Sequence, residues 1–462
     1  MTGIDDLRAG LAERLRELAA KHEVVGASTA VVQGDEMVQA VSGVTNLRTG
    51  VEVTRDTLFQ IGSITKSYTA TLVMQLVDEG LVDLDVPVQR YLPSFRTADE
   101  AATAGVTVRR LLAHTSGMDG DVFDDFGRGD ECIERYVDAM ASLAHTHPPG
   151  SFFSYCNSGY VLLGRLVEHF RGCSWDVALR KHLLDPLGAH DTVTLPEEAI
   201  LRRTAVGHLR TGEDGALQVT PLWHLARATG PAGAISAPAA EVLAFARMLL
   251  DDGNGPGGDR VLTATSTQAM RRFEVEMPDP YTLGDAWGLG VILYRAASPL
   301  VFGHDGTTLG QNAFLRIVPD ANLAMVLLCN GGDSGALFDD LVRPVLADLA
   351  GAELNPAAVP PATPPQVDPR SFVGSYERTG VRIDITADAD GRLWFKATST
   401  GPLAGTLPDE PPKQVIALDD STLLTSEPDR RLGRHVTIKF LESSADGYRY
   451  VHAGARATPR VS

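Results

Sequence analysis

The sequence predicts an α/β protein: one antiparallel sheet flanked by helices, a helical subdomain inserted into it, and a second, smaller β unit behind. Three observations lead there. Strand-like runs occur near the start and again from Trp287 to Leu328, and helical patterns dominate the stretch between them. A proline-rich segment then separates this body from a tail of short strands.

The first element is MTGIDDLRAGLAERLRELAAKH, where Leu7, Leu11, Leu15 and Leu18 share one face and charges take the others, as in an amphipathic surface helix. It has neither the basic nor the apolar region of a signal peptide. Ala27 to Val32 and Met37 to Val41 form a hairpin across Gln33-Gly34-Asp35. Ile64 to Glu79 contains no Pro and no Gly, and it spaces Tyr68, Leu72, Leu76 and Val77 as a buried helix does. Gly62 and Ser63 supply its start. Further helices are expected over Tyr160 to Val167 and Ala239 to Leu250. The acidic, glycine-bearing stretch Asp119 to Asp130 is expected to be a mobile rim over a cleft. Val291 to Tyr294 and Asn312 to Val318 return to strand character, and Ala336 to Leu349 closes the body as a helix. The boundaries expected are a first domain over residues 1–352, a linker over 353–368 rich in proline, and a second domain over 369–462. In the last, Val381 to Ile385, Leu393 to Ala397, Gln414 to Leu418 and His435 to Leu441 are strand candidates.

Chemistry concentrates at three places. Ser63 and Lys66 form S-x-x-K, and residues three apart share a helix face, so the hydroxyl and the amine point into one space. A serine needs a base, and lysine serves only where burial or a nearby positive field lowers its pKa. Lys66 is the only lysine with a serine three residues before it. Tyr155-Cys156-Asn157 is the only Y-x-N, placed just before a helix. A phenol beside a cation can pass protons, and an amide can hold a carbonyl or the lysine; a plain helix cap is the alternative. His304-Asp305-Gly306-Thr307 lies between strand-like runs and suits a substrate-binding strand edge, or a simple turn.

In that order, S-x-x-K, Y-x-N and H-x-G, the chain resembles the serine β-lactamase and penicillin-binding-protein superfamily, in its class C-like branch. Leu111 to Gly117, Trp287 to Gly290 and Cys329 to Gly332 add to the likeness, which covers most of residues 20–350. The branch includes D-Ala-D-Ala carboxypeptidases, D-amino-acid peptidases, family VIII esterases and acyl-transferring relatives. The resemblance implies that Ser63 is acylated, Lys66 is its base, Tyr155 shuttles protons and Asn157 orients them. It further implies an oxyanion hole from the backbone N–H groups of Ser63 and Thr307, with His304, Gly306 and Thr307 on the substrate. The segment opening Phe372-Val373-Gly374-Ser375-Tyr376 resembles the small lipocalin-like β-barrel of some members.

The chain departs from the pattern at His304, where many relatives carry the lysine of K-T-G. A histidine is mostly neutral near pH 7, and Asp305 beside it would repel a substrate carboxylate if it faced the cleft, the alternatives being that it faces away or keeps His304 protonated. An ester, or an amide without a free carboxylate, is therefore expected over penicillin. Hydrolysis leads, acyl transfer or peptide cyclisation through the same acyl-enzyme is the alternative, and an acylated receptor comes last.

Other motifs are set aside. Gly253, Gly255 and Gly258 fit a turn after a helix rather than a dinucleotide loop. Asp333-Ser334 fits a helix cap. His145 and His147 read as solvated loop residues, with no ligands at supporting spacing, and His114 as part of a structural turn. No metal and no cofactor are expected. Cys132, Cys156, Cys173 and Cys329 are few and unpatterned, which fits reduced thiols and a cytoplasmic setting. A net charge of -18 argues against nucleic acid and anionic membranes, and no apolar run is long enough to span a bilayer. The expected partner is a small-molecule or peptide substrate, with a homo-oligomer left open.

Overall fold

The computed structural model describes residues 3–211, 215–295, 298–400, 411–429, 433–444 and 447–462. Its body is built on one sheet. Eight strands take part: β1 (Gly26–Gln33), β2 (Glu36–Gly43), β3 (Val275–Glu276), β4 (Ala286–Trp287), β5 (Ile292–Tyr294), β6 (Val301–Thr308), β7 (Gln311–Val318) and β8 (Leu323–Cys329). They lie in the order β2-β1-β8-β7-β6-β5-β4-β3, with antiparallel pairing throughout. The N-terminal hairpin thus meets the C-terminal strands, as the sequence predicts.

The central strand β8 is buried along its whole length, which is why it reads as an unbroken apolar run. Its side chains alternate between two cores. Leu323, Met325 and Leu327 join the cluster of Leu7, Leu11, Leu15, Leu337 and Leu341, from α1 (Ile4–Lys21) and the closing helix. Ala324, Val326 and Leu328 join the larger cluster with Leu72, Val73, Val161 and Phe245. That second face carries α2 (Thr65–Asp78), α3 (Asn157–Arg171) and α4 (Ala239–Leu250). The closing helix is α5 (Ser334–Ala350), and Asp333 caps it by accepting from the Ala336 N–H at 2.9 Å. The glycines after α4 sit in turns, as expected.

From 351 to 368 there is neither helix nor strand. Eight further strands follow: β9 (Gly374–Arg378), β10 (Val381–Ala387), β11 (Leu393–Ser399), β12 (Lys413–Asp419), β13 (Thr422–Thr425), β14 (Thr437–Ser444), β15 (Gly447–Ala453) and β16 (Arg456–Pro459). Each pairs with the next, and a bridge between Tyr376 and Arg460 nearly closes the last strand onto the first. Phe372, Tyr376, Ile383, Phe440 and Val451 fill the barrel. Four of these strands match the sequence candidates; β9, β13, β15 and β16 were not foreseen. Among the described residues no helix is long and apolar enough to cross a membrane.

Two loop expectations need correction. His145 and His147 are not solvated: His147 is buried with Nδ1 against the Pro148 carbonyl, and His145 Nε2 lies 3.0 Å from Thr97 Oγ1. The start of the 119–130 stretch is not a free rim either. Asp119 is buried and accepts from the Thr379 N–H of the barrel at 2.7 Å.

Candidate active site

Ser63 lies in a single 3₁₀ turn, Gly62–Ile64, that feeds directly into α2, and Lys66 stands in the first turn of that helix. The spacing does what the pattern predicts: Lys66 Nζ and Ser63 Oγ are hydrogen-bonded at 3.1 Å. Lys66 also donates to the Ala232 carbonyl at 2.6 Å. Its side chain is fully buried, and burial, reinforced by the nearby Arg456 cation, holds its pKa well below that of an ordinary lysine.

Tyr155 reaches the same space from the loop before α3. Its phenol faces Ser63, and Lys66 Nζ lies 4.8 Å from its ring centroid. Burial raises the phenol above its usual pKa, while the Ser63 contact and Arg456 work in the opposite direction. The ring is held on several sides. His114 stacks on it with centroids 4.2 Å apart, and Trp287 meets it edge-on at 5.8 Å. His114 also accepts the Cys156 N–H at 3.0 Å, so this supposed turn residue supports the Tyr155 segment directly.

Asn157 behaves differently from the sequence expectation. As the first residue of α3 it donates Nδ2 to Asp121 Oδ1 at 2.8 Å. Asp121 is in turn bound by Arg378 at 2.9 Å and by Arg456 Nε at 2.7 Å, both from the barrel. Burial pushes the Asp121 carboxyl up, and the two guanidiniums reverse this, holding it at about 2.

The opposite wall is the edge of β6. Strand β5 pairs with it only as far as Gly303, leaving residues 304–308 free on that side to meet the serine turn. Two glycines permit the approach. Gly62 has φ +50, and a Cβ there would stand 2.7 Å from Thr307 N; a Cβ on Gly306 would stand 1.9 Å from the Ile61 carbonyl oxygen and 3.0 Å from Ser63 N. The backbone amides of Ser63 and Thr307 are thereby neighbours, and Thr307 is exposed. His304 is fully buried, packs edge-on against Trp287, and contacts the Asp305 carbonyl through Nδ1 at 2.6 Å. Burial lowers its pKa to about 3, so it is neutral.

Asp305 faces away from the cleft. Strand alternation sends it to the other side, where Arg316 binds both of its oxygens. Repulsion by this carboxylate, one leg of the substrate argument, is therefore absent. What the structure brings together is a hydroxyl, a buried amine and a phenol, beside two adjacent backbone amides. Such a set can activate a nucleophile and receive the charge that develops on a carbonyl oxygen.

A family profile described as Beta-lactamase matches residues 11–349. The chain belongs to the β-lactamase family. Among its relatives, "Penicillin-binding protein 4" of Amycolatopsis lactamdurans is 45% identical over 371 residues, spanning 80% of this chain and 97% of that protein. Among solved structures, that of SurE superposes with a TM-score of 0.80 at 28% identity, covering 99% of this chain and 100% of that one. The D-amino acid amidase of Ochrobactrum anthropi SV3, complexed with L-phenylalanine, gives 0.62 at 26% identity over 74% of this chain and 99% of that one. This β-lactamase-family body, with its barrel included in the SurE match, is thus the fold of a group of serine hydrolases. Arg378, Arg456 and Asp121 carry no sequence signal that separates them from ordinary surface charges. His114, embedded in Leu111 to Gly117, was within reach of the motif but assigned only to a turn.

Proposed function

We propose that the protein is a serine hydrolase that cleaves an ester or amide bond through an acyl-enzyme on Ser63. The observation that carries this is the buried Lys66 amine, hydrogen-bonded to Ser63 Oγ at 3.1 Å. A neutral amine can donate to the Ala232 carbonyl and still offer its lone pair to the serine proton. Lys66 takes that proton as Oγ attacks the substrate carbonyl. The oxyanion falls to the N–H groups of Ser63 and Thr307, a pair that contributes a few kcal/mol in sites of this kind. Tyr155, facing the same hydroxyl, gives its proton to the leaving group and is reprotonated by the proton Lys66 took from Ser63. Water then attacks the ester carbonyl of the acyl-enzyme, Ser63 leaves as the alcohol, and the acid product departs.

His304 adds the specificity element. It is neutral at the position where relatives place a cation, so this edge offers no charge to a carboxylate. Substrates without a free carboxylate at that point are favoured, and Gly306 and Thr307 are left to contact neutral groups. The amide of a D-amino acid, suggested by the amidase neighbour, is one such class.

A second reading, in which an amine resolves the acyl-enzyme, is favoured by one observation: the barrel's β15–β16 turn packs on the Tyr155 segment, with Ala455 buried against Tyr155 and its carbonyl accepting the Tyr155 N–H. The experiment is a panel of p-nitrophenyl butyrate, D- and L-amino acid amides, nitrocefin and a D-Ala-D-Ala peptide, with Ser63→Ala as control. Hydrolysis of esters or amides ahead of nitrocefin supports the proposal, and fastest turnover of nitrocefin contradicts it. Products extended by an added amine support transfer.

A further inference from the structure

The barrel reaches the active site through one tight turn. Ala453 pairs with Arg456, and the two residues between, Gly454 and Ala455, have φ of +57 and +66. This is the backbone that suits a two-residue hairpin, yet it is an unfavourable one for a residue with a Cβ. Ala455 is nevertheless buried in the cluster that contains Phe153, Tyr155 and Trp287, and its carbonyl accepts the Tyr155 N–H at 2.9 Å. Next to it, the Ala457 N–H donates to Ser154 Oγ at 3.1 Å. A strained turn aimed at catalytic backbone is a feature held in place by its contacts.

Arg456 follows directly. Its Nε and Nη2 donate to Asp121 at 2.7 and 3.2 Å, and Nη1 donates to the Gly454 carbonyl at 2.8 Å. The guanidinium carbon stands 5.0 Å from the Tyr155 ring centroid, the same ring that Lys66 Nζ approaches to 4.8 Å. With every nitrogen engaged, Arg456 is arranged to hold neighbours.

We propose that the C-terminal barrel completes the catalytic site, with Arg456 as a positioning residue that fixes Asp121 and the Tyr155 ring and sets a permanent positive charge near Lys66. The inference rests on the acyl-enzyme reading above. Its electrostatic part has a definite sign. The groups around Lys66 are Tyr155 and Cys156 from the segment entering α3, Tyr160 in its first turn, His114 and His304 behind them, and the Asp121–Arg456 pair. After burial, the Arg456 charge is what most disfavours a protonated Lys66, whereas Asp121 favours it. Removing the arginine and removing the aspartate should therefore move the lysine in opposite directions.

The test uses the full chain and the rate of Ser63 labelling by a fluorophosphonate across pH, for the wild type, Arg456→Gln, Arg456→Lys and Asp121→Asn. In Arg456→Gln the acid limb of the rate profile is expected to move to higher pH, with labelling at neutral pH slowed about tenfold. Arg456→Lys keeps the charge and keeps the limb near its wild-type position. Asp121→Asn moves the limb to lower pH, and this opposite sign decides the matter even if Arg456→Gln fails to fold. Equal slowing at every pH, with the limb unmoved in Arg456→Gln and Asp121→Asn, would overturn the proposal while leaving Ser63 acylation intact. Undiminished labelling of Ser63→Ala would instead overturn the acyl-enzyme reading, and this inference with it.

Discussion

Asn157 gives its side-chain amide to Asp121 at 2.8 Å, and Asp121 is the point where the barrel's two arginines converge. The amide that the motif assigns to the lysine is thus spent on an anchor. Asn157→Ala leaves both arginines on Asp121, so stability is expected to fall by about 1 kcal/mol, the contribution of one hydrogen bond. The acid limb of kcat/KM stays where it is, because Asn157 does not hold Lys66. A pH profile with a shifted limb would contradict this geometry.

The approach of the serine turn to β6 depends on two missing side chains. Gly306→Ala would drive a Cβ to 1.9 Å from the Ile61 carbonyl oxygen, and Gly62→Ala adds a positive φ to a 2.7 Å clash with Thr307 N. Either change separates the Ser63 and Thr307 amides. The expected loss in kcat is about 10²- to 10³-fold, the cost of one oxyanion donor. Steady-state kinetics on p-nitrophenyl butyrate check it, with wild-type kcat in both variants as the contrary result.

His304 titrates at about 3, so it stays neutral as pH falls from 7 to 5. KM for a D-Ala-D-Ala peptide should therefore show no improvement over that interval relative to the matching amide. An ordinary exposed histidine would gain a proton there and draw the carboxylate in. A KM ratio that falls with acidification would show a cationic His304.

Glu168 offers a stability test away from the chemistry. It is buried in α3, accepts the Trp175 N–H at 3.1 Å, and burial raises its carboxyl to about 7 despite Arg165. Since the folded pKa lies above the unfolded one, the fold favours the protonated form. That contribution is complete below the unfolded value of about 4.3 and is lost as pH rises through 7. Glu168→Gln should raise Tm at about pH 8.5 and leave it near wild type at about pH 4. Equal destabilisation at both pH values would refute the assignment.

The body of the site was legible because its signals are local. Ser63 and Lys66 meet through a helix turn, and the same spacing that marks them in sequence sets their contact. The orientation of Asp305 was left open, although a strand that turns His304 inward must turn its neighbour outward. Arg456 was not: it lies 335 residues from Asp121, and only docking of the barrel brings them together. The unforeseen strands have a similar cause. In Gly374–Arg378 and Gly447–Ala453, charged and aromatic residues interleave on a half-exposed barrel wall, so few positions mark a buried face. His145 and His147 looked like loop residues, and are, but the loop packs against the body, burying His147 and half-burying His145.

The central claim is that Lys66, uncharged beside Ser63, makes that hydroxyl a nucleophile. Intact mass spectrometry of the wild type, Ser63→Ala and Lys66→Ala after timed exposure to a fluorophosphonate at neutral pH tests it most directly. The account predicts one adduct on the wild type, none on Ser63→Ala, and labelling of Lys66→Ala slowed about 10²- to 10⁴-fold. An adduct that forms on Lys66→Ala at the wild-type rate, or on Ser63→Ala at all, would contradict it.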